Sequence, residues 1–391
     1  MAENAGAELL RRRNAAAVLR SLRHDGPASR AELSGRTGLA KATVGSIVAG
    51  LEDAGAVREH EQVRSGDRGR PGVRLTLAGG RPVGVGLEAN VEYVAAVVVD
   101  LSGTVRAQLT RPVASVGAVA EALAALADEV AVLVRDAGQR AIGGTVAVPG
   151  LIAEDDRTIA WTPNLGITGT GVAERVDRAF GWTGRVRVNN DADCAALAEL
   201  HHGAGRGNHH LLYLTGTVGI GAGLVESGRL VRGARGFAGE VGHLPIGEPE
   251  ARCGCGRTGC WEASVGLHAL LARCGAAELA TPEETAASLA ERAATDPAVR
   301  AAIEETGRLL GRGLVIVSGM LDPAVVVLGG YFEPLGELVL APARAVLAGA
   351  LAAPVQQPPE LRVGELGTEA AALGAAERAV TAVFDGLVDL V

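Results

Sequence analysis

The stretch VGVGLEANVEYVAAVVVDLSG, Val83 to Gly103, decides the fold. Two apolar runs, VGVGLE and EYVAAVVVD, flank the short turn Glu88-Ala89-Asn90-Val91. Valine-rich runs of this length on either side of a turn read as two neighbouring buried strands. Downstream, strands alternate with helices. AVAEALAALADEVAVLVRDAG is a long helix, AIGGTVAVPGLI a strand ending in a tight turn, and RVRVNND a strand leading into the helix ADCAALAELHHG. HHLLYLTGTVGIGAGLVESGRLV reads as a β-hairpin with glycines at its bends, and AVVVLGG as a buried strand running into a Gly-Gly turn. This order predicts an α/β body whose ligands collect beyond the carboxyl ends of its strands.

Upstream of that body the charge changes sign. Residues 1–81 hold 14 Arg/Lys and 9 Asp/Glu, a net of +5, whereas the rest of the chain carries −13 of the total of −8. A basic head on an acidic body predicts that the head alone meets a polyanion. Residues 14–54 divide into three helical patterns, with a break at Gly26-Pro27 and a capping-box spacing from Ser29 to Glu32. The third pattern places Val44, Ile47, Val48 and Leu51 on one face and Lys41, Ala42, Thr43, Gly45 and Ser46 on the other. A first exposed turn that is small and polar, with one cation, suits entry into a major groove.

GAVREHEQVRSGDRGRPGVRLTLAGG then fits a two-stranded wing, VRE and VRLTL, with Arg68, Arg70 and Arg74 around an extended Arg-Gly-Arg-Pro tip. A narrow cationic tip suits a minor groove, and Pro71 restricts Arg70 to extended geometry. The head therefore reads as a winged helix-turn-helix that binds operator DNA through Lys41, Ala42, Thr43, Ser46, Arg68, Arg70 and Arg74. Paired heads on two half-sites predict a homodimer or homotetramer.

The sharpest local signal is GEVGHLPIGEPEARCGCGRTGCWE, in which His243, Cys253, Cys255 and Cys260 stand at H-x9-C-x-C-x4-C. Closely spaced cysteines separated by glycines read as thiolate ligands, and a Cys3His set predicts one structural Zn2+ per chain. Cys194 and Cys274 lie apart and read as core packing. No apolar run approaches the roughly 20 residues of a membrane span. The polar start MAENAGAELLRRRN has no signal-peptide core, so a cytoplasmic address without membrane contact is expected.

Together these motifs resemble the ROK family (repressors, open reading frames and kinases), and within it the winged-helix repressors of the xylose-responsive kind. The likeness runs from the helix-turn-helix to LGTEAAALGAA near the C-terminus. It implies a two-lobed, ribonuclease-H-like body of the actin and sugar-kinase superfamily behind the winged helix. The implied domains are 1–80 for the head, 81–190 for a first lobe completed by 370–391, and 191–369 for a second lobe with the zinc site. In ROK sugar kinases a strand ends in Glu-Asn-Asp, whose aspartate is the general base. Here Asn189-Asn190-Asp191 departs at the first position, matches the sugar-binding amide at Asn190 and the base at Asp191. By the same likeness Asn164 in TPNLG, Glu240 and His243 in Glu-x-x-His, and Glu262 after the last cysteine are sugar-binding. The histidine would bind zinc through one ring nitrogen and face the sugar with the other.

The phosphate motifs depart from the kinase pattern. Asp-x-Gly-Gly-Thr in the first turn is replaced by LEANVE, and LTGTVGIGAG puts Val218 where kinases have threonine, with Thr217 one residue early. Phosphoryl transfer depends on such positioning and electrostatic contacts. The expectation is a sugar-responsive repressor of carbohydrate-utilisation genes, xylose metabolism among them. It would bind a sugar or sugar phosphate without phosphorylating it, with Asp191 a vestigial base. The alternatives are a sugar kinase or bifunctional kinase-repressor using Asp191 as base, and a regulator controlled by a protein partner.

Overall fold

The computed structural model describes residues 2–61, 73–217, 219–351 and 357–390. The chain divides into two compact units, Met1–Asn189 with Ala375–Val391, and Asn190–Gly374. The first begins with α1 (Ala2–His24), α2 (Arg30–Thr37) and α3 (Lys41–Asp53). α1 starts well before the apolar spacing that announces it, because AENAGAELLRRR consists largely of strong helix formers, with no proline and a single glycine, Gly6. α2 opens on a complete capping box: Ser29 Oγ accepts from Glu32 N–H at 3.2 Å, and the Glu32 carboxylate accepts from Ser29 N–H at 2.7 Å. β1 (Val57–Glu61) and β2 (Val73–Leu77) pair antiparallel, Val57 opposite Leu77, and form the wing.

The body of the first unit follows as β3 (Pro82–Ala89), β4 (Tyr93–Asp100), β5 (Val105–Pro112), α4 (Val119–Asp136), β6 (Arg140–Val148), β7 (Leu151–Ile152), β8 (Ile159–Trp161), α5 (Gly171–Ala179) and β9 (Val186–Asn190). Its main sheet has the order β5-β4-β3-β6-β9. β3, β4 and β5 are antiparallel neighbours, and β6 runs parallel to β3. α4 lays Leu123, Leu126, Val130 and Val134 on this sheet's core with Val85, Leu87 and Val146. The opening strands are buried along nearly their whole length, which explains why they read as continuous apolar runs.

The second unit starts with α6 (Asp191–His202), β10 (Leu211–Gly216), β11 (Ile220–Glu226) and β12 (Arg229–Leu230). α7 (Glu262–Val265), α8 (Leu267–Cys274), α9 (Pro282–Arg292), α10 (Pro297–Leu321), β13 (Val325–Gly330), α11 (Phe332–Leu335), α12 (Glu337–Ala350) and β14 (Glu360–Val363) complete it. Its sheet order, β12-β11-β10-β13-β14, repeats that of the first unit. Again a hairpin, here β10 with β11, is followed by strands parallel to its first member. The duplicated plan is the two-lobed, ribonuclease-H-like body. The long α10 packs Ile303, Leu310, Leu314 and Val317 into the second core beside Val339, Ala343 and Leu347 of α12.

The last helix, α13 (Ala370–Phe384), returns the chain to the first unit. Its Val380, Val383 and Phe384 join the core of the winged helix, made by Leu19, Leu22, Leu33, Val44, Ile47, Leu51 and Leu75. Among the described residues no helix is long and apolar enough to cross a membrane.

Candidate metal centre and sugar site

On α3 the residues assigned to DNA are displayed as their spacing requires. Lys41, Ala42 and Ser46 are exposed, Thr43 is half-buried, and Val44, Ile47, Val48 and Leu51 are buried. Arg74 stands on β2, where its Nη1 donates to the Pro27 carbonyl at 2.8 Å and its Nη2 lies 3.3 Å from the Glu32 carboxylate. Its guanidinium thus fastens the wing to the start of α2. Arg68 and Arg70 lie outside the described residues.

The metal loop begins at His243, the last residue of a short 3-10 turn from Glu240. The chain then doubles back through a bridge between Arg252 and Thr258, with Cys253 N–H donating to the Arg257 carbonyl at 2.9 Å. Gly256 holds φ at +87° at the tip, a conformation that favours glycine and brings Cys255 round toward Cys253 and Cys260. The donor atoms of His243, Cys253, Cys255 and Cys260 all fall within 4.8 Å of one another. Cys255 Sγ is 3.7 Å from Cys260 Sγ, and Cys253 Sγ is 3.7 Å from His243 Nδ1. A zinc ion about 2.3 Å from sulfur and about 2.0 Å from nitrogen spaces tetrahedral ligands about 3.5–3.8 Å apart. The four residues therefore fit a tetrahedral N,S-ligated cation.

Electrostatics at the thiols divide them. Arg257 Nε donates to Cys255 Sγ at 3.4 Å, and this hydrogen bond holds the Cys255 thiol down to about 6. Burial pushes the Cys253 thiol up to about 12. The arginine was missed at sequence level, although a cation inside CGCGRTGC is the signal that could have revealed it.

The metal loop and the residues assigned to the sugar share side chains. His243 turns Nε2 toward Glu240, 3.9 Å from its carboxylate. Glu262 lies 3.3 Å from Cys253 Sγ through one oxygen and accepts from Ile220 N–H at 2.8 Å through the other. Asp191 opens α6 and accepts from Ala192 N–H at 2.9 Å. Burial raises the Asp191 pKa above the ordinary carboxylate range, and the nearby Glu240 charge adds to the effect. Asn190 caps α6, its Oδ1 accepting from Asp193 N–H at 3.1 Å, a local task that the sequence reading did not assign to it. Asn190, Asp191, Glu240, His243 and Glu262 all belong to the second unit. Asn164 belongs to the first, exposed on the turn after β8, and Thr162 staples that turn through two hydrogen bonds with Ile167 of 2.7 and 2.9 Å.

The first turn corrects one expectation. Glu88 and Ala89 are not turn residues: they continue β3, paired with Ala95 and Val94. Glu88 is buried, and the Tyr93 hydroxyl donates to its carboxylate at 2.8 Å, which favours extending the ladder. The turn proper is Asn90 to Glu92. Asn90 N–H donates to the Tyr93 carbonyl at 2.9 Å, and Asn90 Oδ1 accepts from Glu92 N–H at 3.3 Å. In the second loop Thr217 N–H donates to the Gly219 carbonyl at 3.0 Å. Val218 lies outside the described residues.

Fold and site together define a winged-helix DNA-binding head carried by a sugar-kinase-like body with a Cys3His cluster able to hold a metal ion. The ROK family profile matches residues 84–381, and the IclR helix-turn-helix profile matches residues 13–61. The chain belongs to the ROK family. It is 28% identical to the xylose repressor of Bacillus subtilis over 96% of this chain and 95% of that protein. A ROK hexokinase from Thermus thermophilus is 34% identical with a TM-score of 0.61, covering 78% of this chain and 99% of its own. A ROK family transcriptional regulator, described as a homologue of the E. coli MLC protein, matches in fold with a TM-score of 0.80 at 24% identity, over 97% of this chain and 98% of its own.

Proposed function

We propose that this chain is a sugar-responsive transcriptional repressor that binds a sugar without phosphorylating it. The observation that carries the reading is the union, in one chain, of the exposed Lys41-Ala42-Ser46 face of α3 with the polar cluster of Asp191, Glu240, His243 and Glu262. Carboxylates and an oriented imidazole present acceptors and a donor to vicinal hydroxyls. Asn190 completes the proposed sugar set within the second unit. Zinc on His243, Cys253, Cys255 and Cys260 would fix the loop and the ring orientation, as the donor spacings support.

Loss of kinase activity is supported by the first turn, where Asn90 and Glu92 spend their amides on each other's neighbourhood and no Gly-Gly-Thr remains to hold phosphate. The head would read operator DNA, two heads in a homodimer or homotetramer meeting two half-sites. The sugar would then act through its unequal affinity for the operator-binding and released arrangements. The name of the Bacillus subtilis relative makes D-xylose the first ligand to try. The deciding experiment titrates pentoses, hexoses and their phosphates into the chain by thermal shift, then repeats operator binding with any that bind. An ATP-dependent turnover abolished by Asp191→Asn would replace this reading with the bifunctional kinase-repressor.

A further inference from the structure

The cysteines of the metal loop, all within the second unit, differ in how far solvent reaches them. Cys253 and Cys260 are buried, at 8% and 1% exposure, whereas Cys255 is exposed between Gly254 and Gly256. Arg257 Nε donates to Cys255 Sγ at 3.4 Å from an exposed side chain, so the guanidinium attends this sulfur without covering it. Cys253 Sγ lies among His243 Nδ1, the Glu262 carboxylate and the Cys255 N–H, at 3.7, 3.3 and 3.5 Å. Cys260 Sγ is instead 3.7 Å from Cys255 Sγ. A disulfide needs about 2.0 Å between its sulfurs, so this pair has about 1.7 Å left to close. The chain between them is Gly256-Arg257-Thr258-Gly259, with φ of +87° and +73° at its two glycines, and this double turn brings the two sulfurs together. Linking Cys255 to Cys253 would close a ring over the single residue Gly254, with the strain of a short link.

We propose that Cys255 and Cys260 are an oxidant-sensitive pair, converted by a hydroperoxide to a disulfide that releases the metal ion. The inference goes beyond the regulatory reading and stands whether or not a sugar binds. Cys255 meets the oxidant because it alone of the three is exposed. Its sulfur attacks one oxygen of hydrogen peroxide, the O–O bond breaks, and a sulfenic acid and one water result. Cys260 then attacks the Cys255 sulfur, the S–OH bond breaks, and the hydroxyl leaves with the Cys260 proton as a second water. Two thiols give up two electrons, and one peroxide takes them. The loop then keeps His243 and Cys253 alone of its four donors, whereas a structural zinc site is closed by four. A dithiol reverses the step by thiol–disulfide exchange.

The test treats the full chain, loaded with zinc, with hydrogen peroxide while a chromogenic chelator reads the ion set free. Released zinc should approach about one ion per chain. Free thiols counted in denaturant should fall by two of the chain's five, and dithiothreitol with added zinc should restore both readings. Trypsin separates residues 253–257 from residues 258–273, so the link is read as the covalent union of these two peptides. Fragmentation then shows whether Cys253 or Cys255 carries it. Cys260→Ala, which lacks the second sulfur, should instead let Cys255 proceed to the sulfinic and sulfonic acids. If that variant does not fold, the wild-type linkage map decides. A link through Cys253 overturns the assignment. So does a treated wild-type chain that keeps its zinc and all five thiols, or one whose Cys255 reaches the sulfonic acid unlinked. A chain that takes up no zinc yet forms the Cys255–Cys260 link overturns metal release and upholds the pair.

Discussion

His243 sets its Nδ1 3.7 Å from Cys253 Sγ and its Nε2 3.9 Å from the Glu240 carboxylate. One imidazole thus faces the Cys3His cluster through one nitrogen and the proposed sugar-binding set through the other. Glu262 makes a second link of the same kind, from Cys253 to the Ile220 amide. The metal loop and the sugar site are therefore expected to fail together.

Metal removal tests this coupling. Partners that orient a metal ligand are worth about 10–100-fold in metal affinity or activity at comparable centres, and the same order is expected for a sugar held by the oriented ring. Stripping the metal, or Cys255→Ser, should weaken sugar binding by about that factor and lower the melting temperature. Elemental analysis beside calorimetry checks it. A metal-free, folded chain with wild-type sugar affinity would sink the idea.

Asp191→Asn should weaken sugar binding by about 1.5–3 kcal/mol, the usual worth of a hydrogen bond to a charged group. Because burial raises the Asp191 pKa, its carboxylate takes up a proton at a higher pH than an ordinary aspartate. Sugar affinity should accordingly fall on acidification before the ordinary carboxylate range is reached, and Asp191→Asn should remove that fall. Calorimetry across pH reads both effects.

On α3, Lys41 and Ser46 should separate charge from sequence readout. Lys41→Ala should weaken all duplexes alike and reduce the slope of log affinity against log salt by about 1. Ser46→Ala should change the preference among duplexes by about 1–3 kcal/mol with little change in that slope. Fluorescence anisotropy at several salt concentrations distinguishes the two.

Most of the fold was legible where periodicity is local. The buried strands β3 and β4, the amphipathic α4, the Ser29–Glu32 box and the wing strands all follow from spacing and turn chemistry. The Cys3His set was legible because four rare ligands within 18 residues leave little other reading. What the spacing hid was partnership over distance. Nothing local to Arg23 announces Glu377, 354 residues away, and nothing in LEANVE announces that Tyr93 keeps Glu88 in the strand. Asn190 shows the converse, a residue read for its chemistry that also has a local duty as a helix cap.

Glu333, on α11 just past β13, is a half-buried carboxyl that the sugar reading does not use. Burial pushes its carboxyl up to about 7, with the Glu199 carboxylate adding repulsion. Glu199 itself is fixed by N–H donors from Ala204, Glu365 and Leu366 at 2.7, 2.9 and 3.2 Å. An unfolded glutamate titrates near about 4.3, so between that pH and about 7 the folded chain holds a proton that the unfolded chain has released. Stability is therefore fully present below the unfolded value and lost as pH rises through about 7, by an amount on the order of 1–3 kcal/mol. Glu333→Gln has no such proton to lose. Its urea midpoint should match the wild type near pH 4.5 and exceed it increasingly up to about pH 7.5, beyond which the gap stays constant. A gap that is flat across this window would place the Glu333 titration elsewhere.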